Sequence, residues 1–293
     1  MTERVRIYGD CTVLISLRGE KDPFFMLNVS SYEDVICAQG EVPLLDRNFP
    51  VFLFLVDGLL VDTGPRCMSE DLIPFFQSHE IAQVVLTHLH EDHSGMAAWL
   101  QENRQVPIYL HRDALDAASQ QAALPLYRLK LWGERPPFHA RNMPAEIRTP
   151  NHRFQTIDTP GHCDAHIVLY EEERGWLFTG DVFVTIKQQV AFREENLSLM
   201  IESLQALLKL DFETIFCAHT GVQKQGYRLL REKLAFLLEL RARVDELAAQ
   251  GLNPRMIARK LFPSPHPVTD VSEGEGTAYH LVRTLSRELM ERG

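Results

Sequence analysis

Three histidines and an aspartate fall within six positions of the run Thr87-His88-Leu89-His90-Glu91-Asp92-His93-Ser94-Gly95. Three more groups of the same kinds follow singly. His162 sits in Thr159-Pro160-Gly161-His162, Asp181 in Gly180-Asp181, and His219 in Ala218-His219-Thr220-Gly221. Neutral imidazoles and carboxylates without a thiolate suit Zn²⁺, and also Fe or Mn. One catalytic metal takes about three protein ligands plus water. Seven groups exceed that need, and two metals sharing one carboxylate would use them all.

Local sequence places these groups at the ends of strands. Gln83-Val84-Val85-Leu86 is a short apolar, β-branched run, the pattern of a buried strand. It delivers His88 and His90 onto the loop that follows. Side chains two apart in extended backbone face the same way, so one metal can take both. Ser94 is read as the N-cap of a helix over residues 94–104. Ile157-Asp158-Thr159-Pro160-Gly161 is a strand ending in a Pro-Gly turn, which sets His162 at its edge. Trp176-Leu177-Phe178-Thr179-Gly180-Asp181 and Thr214-Ile215-Phe216-Cys217-Ala218-His219 repeat the plan.

The ordered set His-x-His-x-Asp-His, then His, Asp and His, resembles the metallo-β-lactamase-fold hydrolases over about residues 51–221. The resemblance implies a four-layer αββα sandwich of the α/β class, with the metal site on one edge between the sheets. It implies that His88, His90 and His162 hold a first metal and that Asp92, His93 and His219 hold a second. Asp181 would bridge the two. It also places Asp62, in Asp62-Thr63-Gly64, beside the metals, where its carboxylate would accept the free N–H of a ligand imidazole. The competing reading of Asp62 is a turn that caps a helix at residues 71–77.

Composition bounds the rest. The chain has 293 residues, 45% hydrophobic and 24% charged, which is ordinary for a globular protein. No apolar run approaches ~18 residues, so no membrane span is expected. The first residues lack the apolar stretch of a secretory signal. Five cysteines (Cys11, Cys37, Cys67, Cys163 and Cys217) are odd in number and scattered, which fits a reducing cytoplasm. Formal charge is −10. Residues 221–293 carry 12 basic against 9 acidic groups, leaving 18 against 31 for residues 1–220. An acidic catalytic part argues against nucleic acid as partner.

Asp57-Gly58 between two apolar runs signals a type I′ hairpin. From residue 83 onward strands and helices alternate, with strands at 107–111, 154–158, 166–171, 175–180 and 214–218 and helices at 112–121 and 197–210. Earlier strands are expected at 5–8, 12–17 and 24–29. Two mixed sheets packed face to face with helices outside satisfy this order. Residues 1–250 form the expected catalytic domain and 251–293 a helical C-terminal extension. An insertion at about 122–153 is rich in Pro, Arg and aromatics. It is read either as a substrate-contacting lid, with Tyr127, Arg128 and Arg135 as its contacts, or as a surface excursion packed by its own rings. The tail is read as extra packing, substrate contact or a homodimer surface, with a last helix over 277–289.

The constellation implies hydrolysis. Two divalent ions about 3.5–4 Å apart lower the pKa of a shared water, so a bridging hydroxide becomes the nucleophile. Asp92 is assigned as a ligand that also moves the proton. Cys163, next to His162, is read as turned away and not as a nucleophile. The pattern looks most like the glyoxalase II-like, broad hydrolase branch, acting on a small ester, thioester or lactone. A phosphodiester (RNA) hydrolase of the same fold and a mononuclear iron persulfide dioxygenase are the alternatives.

Overall fold

The computed structural model describes residues 27–44 and 47–285. Strands expected at 5–8 and 12–17, the first half of the one at 24–29, and the end of the last helix lie outside the described residues.

Two mixed sheets form the middle of the molecule. The first runs β1 (Asn28–Tyr32), β2 (Val35–Leu44), β3 (Arg47–Val56), β4 (Leu59–Val61), β5 (Gln83–Val85), β6 (Ile108–Leu110) and β7 (Arg141–Asn142) in spatial order. The second holds β8 (Glu146–Arg148), β9 (Arg153–Asp158), β10 (Ile167–Glu171), β11 (Trp176–Gly180), β12 (Thr214–Cys217) and β13 (Gly221–Gln223), again with sequence neighbours adjacent in space. The helices are α1 (Ser69–Ser78), α2 (Glu91–Ser94), α3 (Ala97–Arg104), α4 (Leu115–Ala118), α5 (Leu126–Trp132), α6 (Leu197–Leu207), α7 (Gly226–Ala249), α8 (Pro254–Leu261), α9 (Pro267–Val271) and α10 (Ala278–Leu285).

Three apolar clusters account for four layers. The central one joins Phe54, Val56, Val61 and Val85 of the first sheet to Phe154, Leu169, Trp176, Phe178 and Phe216 of the second. Phe178 stacks on Phe216 with centroids 4.3 Å apart, and Phe54 meets both edge-on. Burying each such ring is worth roughly 1.5–3 kcal/mol. A second cluster packs α1 and α3 on the outer face of the first sheet. The third packs α6, α7, α8 and α10 on the outer face of the second, with Ile257, Leu281, Val282 and Leu285 fully buried there. Strands β10, β11 and β12 are therefore covered on both faces, which explains their largely apolar sequence.

Asp57 (φ 48°) and Gly58 (φ 80°) both take positive φ between β3 and β4, as a type I′ turn requires. The insertion is not a separate excursion. It supplies α5, then β7 at the edge of the first sheet and β8 at the edge of the second. The helix expected from Ser94 begins earlier, because His90 precedes a single turn, α2, that already contains Asp92 and His93. Ser94 does not cap a following helix. Its hydroxyl donates back to the carbonyls of Leu89 and His90, and α3 starts after Met96. The helix expected over 112–121 is reduced to a 3₁₀ turn and α4. Among the described residues no helix is long and apolar enough to cross a membrane.

Candidate metal centre

All seven sequence-predicted ligand residues converge on one edge of the sandwich. Asp62 follows β4, residues 87–93 follow β5, His162 follows β9, Asp181 follows β11 and His219 follows β12. Two backbone bonds stitch the sheets together here, Phe52 N–H to Ala218 C=O (2.8 Å) and Ile167 N–H to Thr87 C=O (2.9 Å). Two glycines allow the close approach. A Cβ on Gly180 (φ +46°) would lie 2.7 Å from His166 Nε2, and one on Gly161 (φ +142°) would lie 2.5 Å from the backbone of Met200. The Gly-Asp and Pro-Gly-His motifs thus need glycine for reasons of space as well as φ.

The seven side chains fall into two pockets. His88, His90 and His162 form the first; Asp92, His93, Asp181 and His219 form the second. In the first, His90 Nδ1 lies 2.9 Å from both His88 Nε2 and His162 Nε2. In the second, His219 Nε2 lies 3.4 Å from Asp92 Oδ2 and 3.2 Å from Asp181 Oδ1, with His93 Nε2 3.5 Å from that same Asp181 oxygen. The other Asp181 oxygen, Oδ2, is 3.4 Å from His162 Nε2 in the first pocket.

Hydrogen bonds on the outer side of each ring decide its tautomer. His93 Nδ1 donates to Asp62 Oδ2 (2.8 Å), His162 Nδ1 to Glu195 Oε1 (2.8 Å) and His219 Nδ1 to the Pro50 carbonyl (2.9 Å). His90 Nε2 donates to Glu194 Oε1 (3.0 Å). The Thr87 hydroxyl gives its proton to Asp62, so its oxygen accepts from His88 Nδ1 at 3.1 Å. Carboxylates and carbonyls only accept, so in each neutral ring it is the inward nitrogen that carries the lone pair. With the rings neutral, five such lone pairs and two carboxylates face one another. Among the described residues His93 Nε2 and Asp181 Oδ1 are buried without a close hydrogen-bond partner. Buried acceptors in that state are costly, and divalent cations satisfy them all. The donor set therefore fits metal.

The charges follow this division only in part: burial opposes a proton on His162 in the first pocket, but its bond to Glu195 and the charge of Asp181 still hold it above the ordinary 6.5. Burial opposes a proton on His93 and on His219, but the carboxylates of Asp181 and Asp92, with Asp62 for His93, outweigh it and hold both well above the ordinary 6.5. Burial, reinforced by the neighbouring rings of His93, His90 and His162, drives His88 well below it. Burial would raise Asp181 and Asp92; their histidine neighbours win and keep both below the usual carboxylate range. Burial pushes the Cys163 thiol up to about 12, so it carries no thiolate for attack.

Asp62 is buried and takes positive φ (60°), a strained conformation for a non-glycine residue. Its carboxylate accepts from the Thr87 amide (2.8 Å), the Thr87 hydroxyl and His93. Sequence reasoning missed several partners. Glu195 is buried and is held by Phe192 N–H (3.0 Å) and Gln188 Nε2 (3.1 Å). Glu194 is kept down at about 2, chiefly by the bond from His90. His166 Nε2 accepts the Asp181 amide (3.0 Å) while its Nδ1 donates to Thr159, which fixes the backbone of Asp181. Lys233 is buried in α7, where desolvation brings its ammonium down to about 8. Nothing in their local sequence separates Glu194, Glu195 and Lys233 from solvated charge, whereas His166 stands out by its spacing, four residues after His162.

The three insertion residues have different surroundings. Tyr127 donates to Glu275 Oε2 (2.7 Å). Arg128 donates through Nε to Glu91 Oε2 (2.7 Å) and lies 3.4 Å from Glu194 Oε1. Arg135 is buried, and its guanidinium donates to the carbonyls of Ala117, Ala118 and Gln120 at 2.9–3.2 Å. A substrate contact does not fit Arg135, because its donors close the C-terminal end of α4. On the side of the second pocket, the Phe49 ring lies 4.6 Å from His219 and 5.8 Å from Trp132. This is an apolar wall.

Residues 48–219 match the family model of the metallo-beta-lactamase superfamily. A hydroxyacylglutathione hydrolase from Xylella fastidiosa is 28% identical over 268 residues, covering 83% of this chain and 89% of that protein. One from Bdellovibrio bacteriovorus is 27% identical over 185 residues, covering 61% of this chain and 65% of that protein. Among solved structures, a metallo-beta-lactamase family protein from Thermus thermophilus superposes with a TM-score of 0.61 at 19% identity, covering 89% of this chain and 94% of that one. A beta-lactamase domain protein from Burkholderia ambifaria gives 0.65 at 18% identity, with coverage of 87% and 86%. A protein solved in a di-iron-bound form gives 0.51 at 25% identity, covering 64% of this chain and 96% of that one.

Proposed function

The chain belongs to the metallo-beta-lactamase superfamily and is a metal-dependent hydrolase, and from that premise we propose that it holds two divalent ions and hydrolyses a small thioester. The observation that carries this reading is the convergence of seven side chains of metal-binding type into two adjoining pockets. The ions would be Zn²⁺, with Fe as the other candidate, since one structural relative was solved with two irons. When bound, they supply Lewis acidity and lower the pKa of water.

His88, His90 and His162 would hold the first ion, and Asp92, His93 and His219 the second. Asp181, with one oxygen toward each pocket, would hold both. The outer hydrogen bonds keep every inward lone pair aimed before substrate arrives, so little reorganisation remains during the reaction. Asp92 would take the proton of the attacking water at its carboxylate and pass it to the leaving group. The relatives named for hydroxyacylglutathione favour a thioester within the wider class of esters, thioesters and lactones. Phe49 and Trp132 would receive the apolar part of the acyl group. The half-exposed Glu194 beside His90, with the net charge of −10, opposes a polyanion such as RNA.

Metal analysis joined to a substrate panel tests the proposal. Close to two ions per chain are expected, with thioester turnover exceeding that of lactones and of bis(p-nitrophenyl)phosphate. A single ion that is insensitive to His219→Ala would overturn the two-ion reading. Preferential phosphodiester cleavage would overturn the substrate class.

A further inference from the structure

The two outer glutamates of the first pocket are held very differently. Glu195 sits in a closed socket. Its Oε1 takes His162, and its Oε2 takes the Phe192 amide and the Gln188 side chain. Among the described residues Glu194 meets no backbone donor, and its side chain is 40% exposed. Its Oε1 receives His90 Nε2 at 3.0 Å and lies 3.4 Å from Arg128 Nη1. An exposed carboxylate–imidazole contact alone is weak, because water screens it and both side chains lose rotamer freedom. Arg128 supplies what is missing. Its own side chain is only 14% exposed, and its Nε is fixed 2.7 Å from Glu91 Oε2. Glu91 is buried and directly follows His90. One guanidinium thus grips His90 from two sides, through the next residue in the chain and through the acceptor of its outer N–H. Nε and Nη1 point in different directions, a geometry that a lysine ammonium cannot reproduce. Tyr127, one residue earlier on α5, is tied to Glu275 and keeps this end of the helix in place.

We infer that Arg128 is a positioning residue of the metal centre: through Glu194 it keeps His90 protonated on Nε2 with Nδ1 turned inward, and so sets the affinity of the three-histidine pocket. The insertion would then act on metal retention through α5, and not as a substrate clamp at this residue. This rests on the two-ion reading above and deepens it.

Chelator competition on the intact chain separates the two. Wild type, Arg128→Met, Arg128→Lys and Glu194→Gln are titrated with Zn²⁺, and ¹⁵N NMR of the metal-free imidazoles reports the His90 tautomer. If wild type binds no ion, the parent reading fails. If wild type binds two, Arg128→Met and Glu194→Gln should each weaken one ion by about 10–100-fold and leave the other unchanged. Combining them should add little beyond either alone, and His90 should populate both tautomers. Arg128→Lys should restore only part of the affinity. Unchanged affinity for both ions in Arg128→Met, with a raised KM, would overturn the inference and return Arg128 to the substrate. Arg128→Met also strips buried Glu91 of its partner. Should that variant fail to fold, Glu194→Gln, which leaves the Arg128–Glu91 pair intact, decides alone: wild-type affinity at the first pocket overturns the inference.

Discussion

The two pockets use the same imidazole chemistry but are supported by different parts of the molecule. The second is braced by the sheet itself. Asp62 at the end of β4 holds His93, and the Pro50 carbonyl of β3 holds His219. In the first, His88 likewise rests on Thr87 just after β5, but His90 and His162 are braced from outside the sheets. Glu194 and Glu195 come from the segment between β11 and α6, and Arg128 comes from the insertion. The pockets also differ in charge. The second contains two carboxylates and draws protons onto both His93 and His219, while in the first His88 is pushed toward neutrality and His162 is raised by Glu195 and Asp181. A support built from sheet edges is rigid through packing on both faces, whereas a support built from loops can be tuned without disturbing the core.

The largest expected effect breaks the link between the pockets. Asp181 alone among the seven approaches ring nitrogens in both. Asp181→Ala should lose both ions and at least 10³-fold in activity, ~4 kcal/mol of barrier. Metal analysis showing one tightly retained ion would confine Asp181 to a single pocket.

A smaller effect should be one-sided. Asp62→Asn removes the acceptor that fixes His93, so it should weaken one ion by about 10–100-fold and spare the three-histidine pocket. It would mirror the expected behaviour of Glu194→Gln. Equal loss at both pockets would show that Asp62 supports the whole edge, in keeping with its second bond to Thr87 beside His88.

The smallest effect is a difference in pH dependence between the metal-free and metal-loaded chains. In the metal-free protein His93 and His219 have folded pKa values well above 6.5. Their contribution to stability is fully present below 6.5 and is lost as pH rises through the folded values. Asp92 and Asp181 act in the opposite window. Their contribution is present above 3.8 and is lost as pH falls through their lowered values. The Tm of the metal-free protein should therefore fall on going from neutral to alkaline pH. With ions in place of those protons, the loaded protein should hold its Tm over the same range. Parallel profiles would remove the charge difference between the pockets.

Much of the centre was legible because strands impose direction. A β-branched run that ends at Thr87, or an apolar run that ends at Gly180-Asp181, can only deliver its last side chains to the sheet edge. The type I′ turn at Asp57-Gly58 was equally plain, since two positive φ values demand those residues. The start of the helix after His90 was misjudged because Ser94 offers a good cap in sequence. Its hydroxyl instead bonds back to Leu89 and His90, letting Asp92 and His93 lie within a turn of helix.

What the sequence by itself determined is the donor set: seven acceptors of metal-binding type, in order, each behind an apolar strand, together with the layered fold that those strands and helices require. Only the tertiary structure decided what stands behind the donors. Glu91, Glu194 and Glu195 read as surface acids until the chain closes, and Arg128 and Arg135 read as equivalent basic residues of one insertion. Folding gives Arg128 two carboxylates and Arg135 three carbonyls. The reason is range. Strand periodicity and metal-ligand spacing act over a few residues of chain, whereas the partner of a charge is chosen among groups 37 and 66 positions away, as for Arg128 with Glu91 and Glu194.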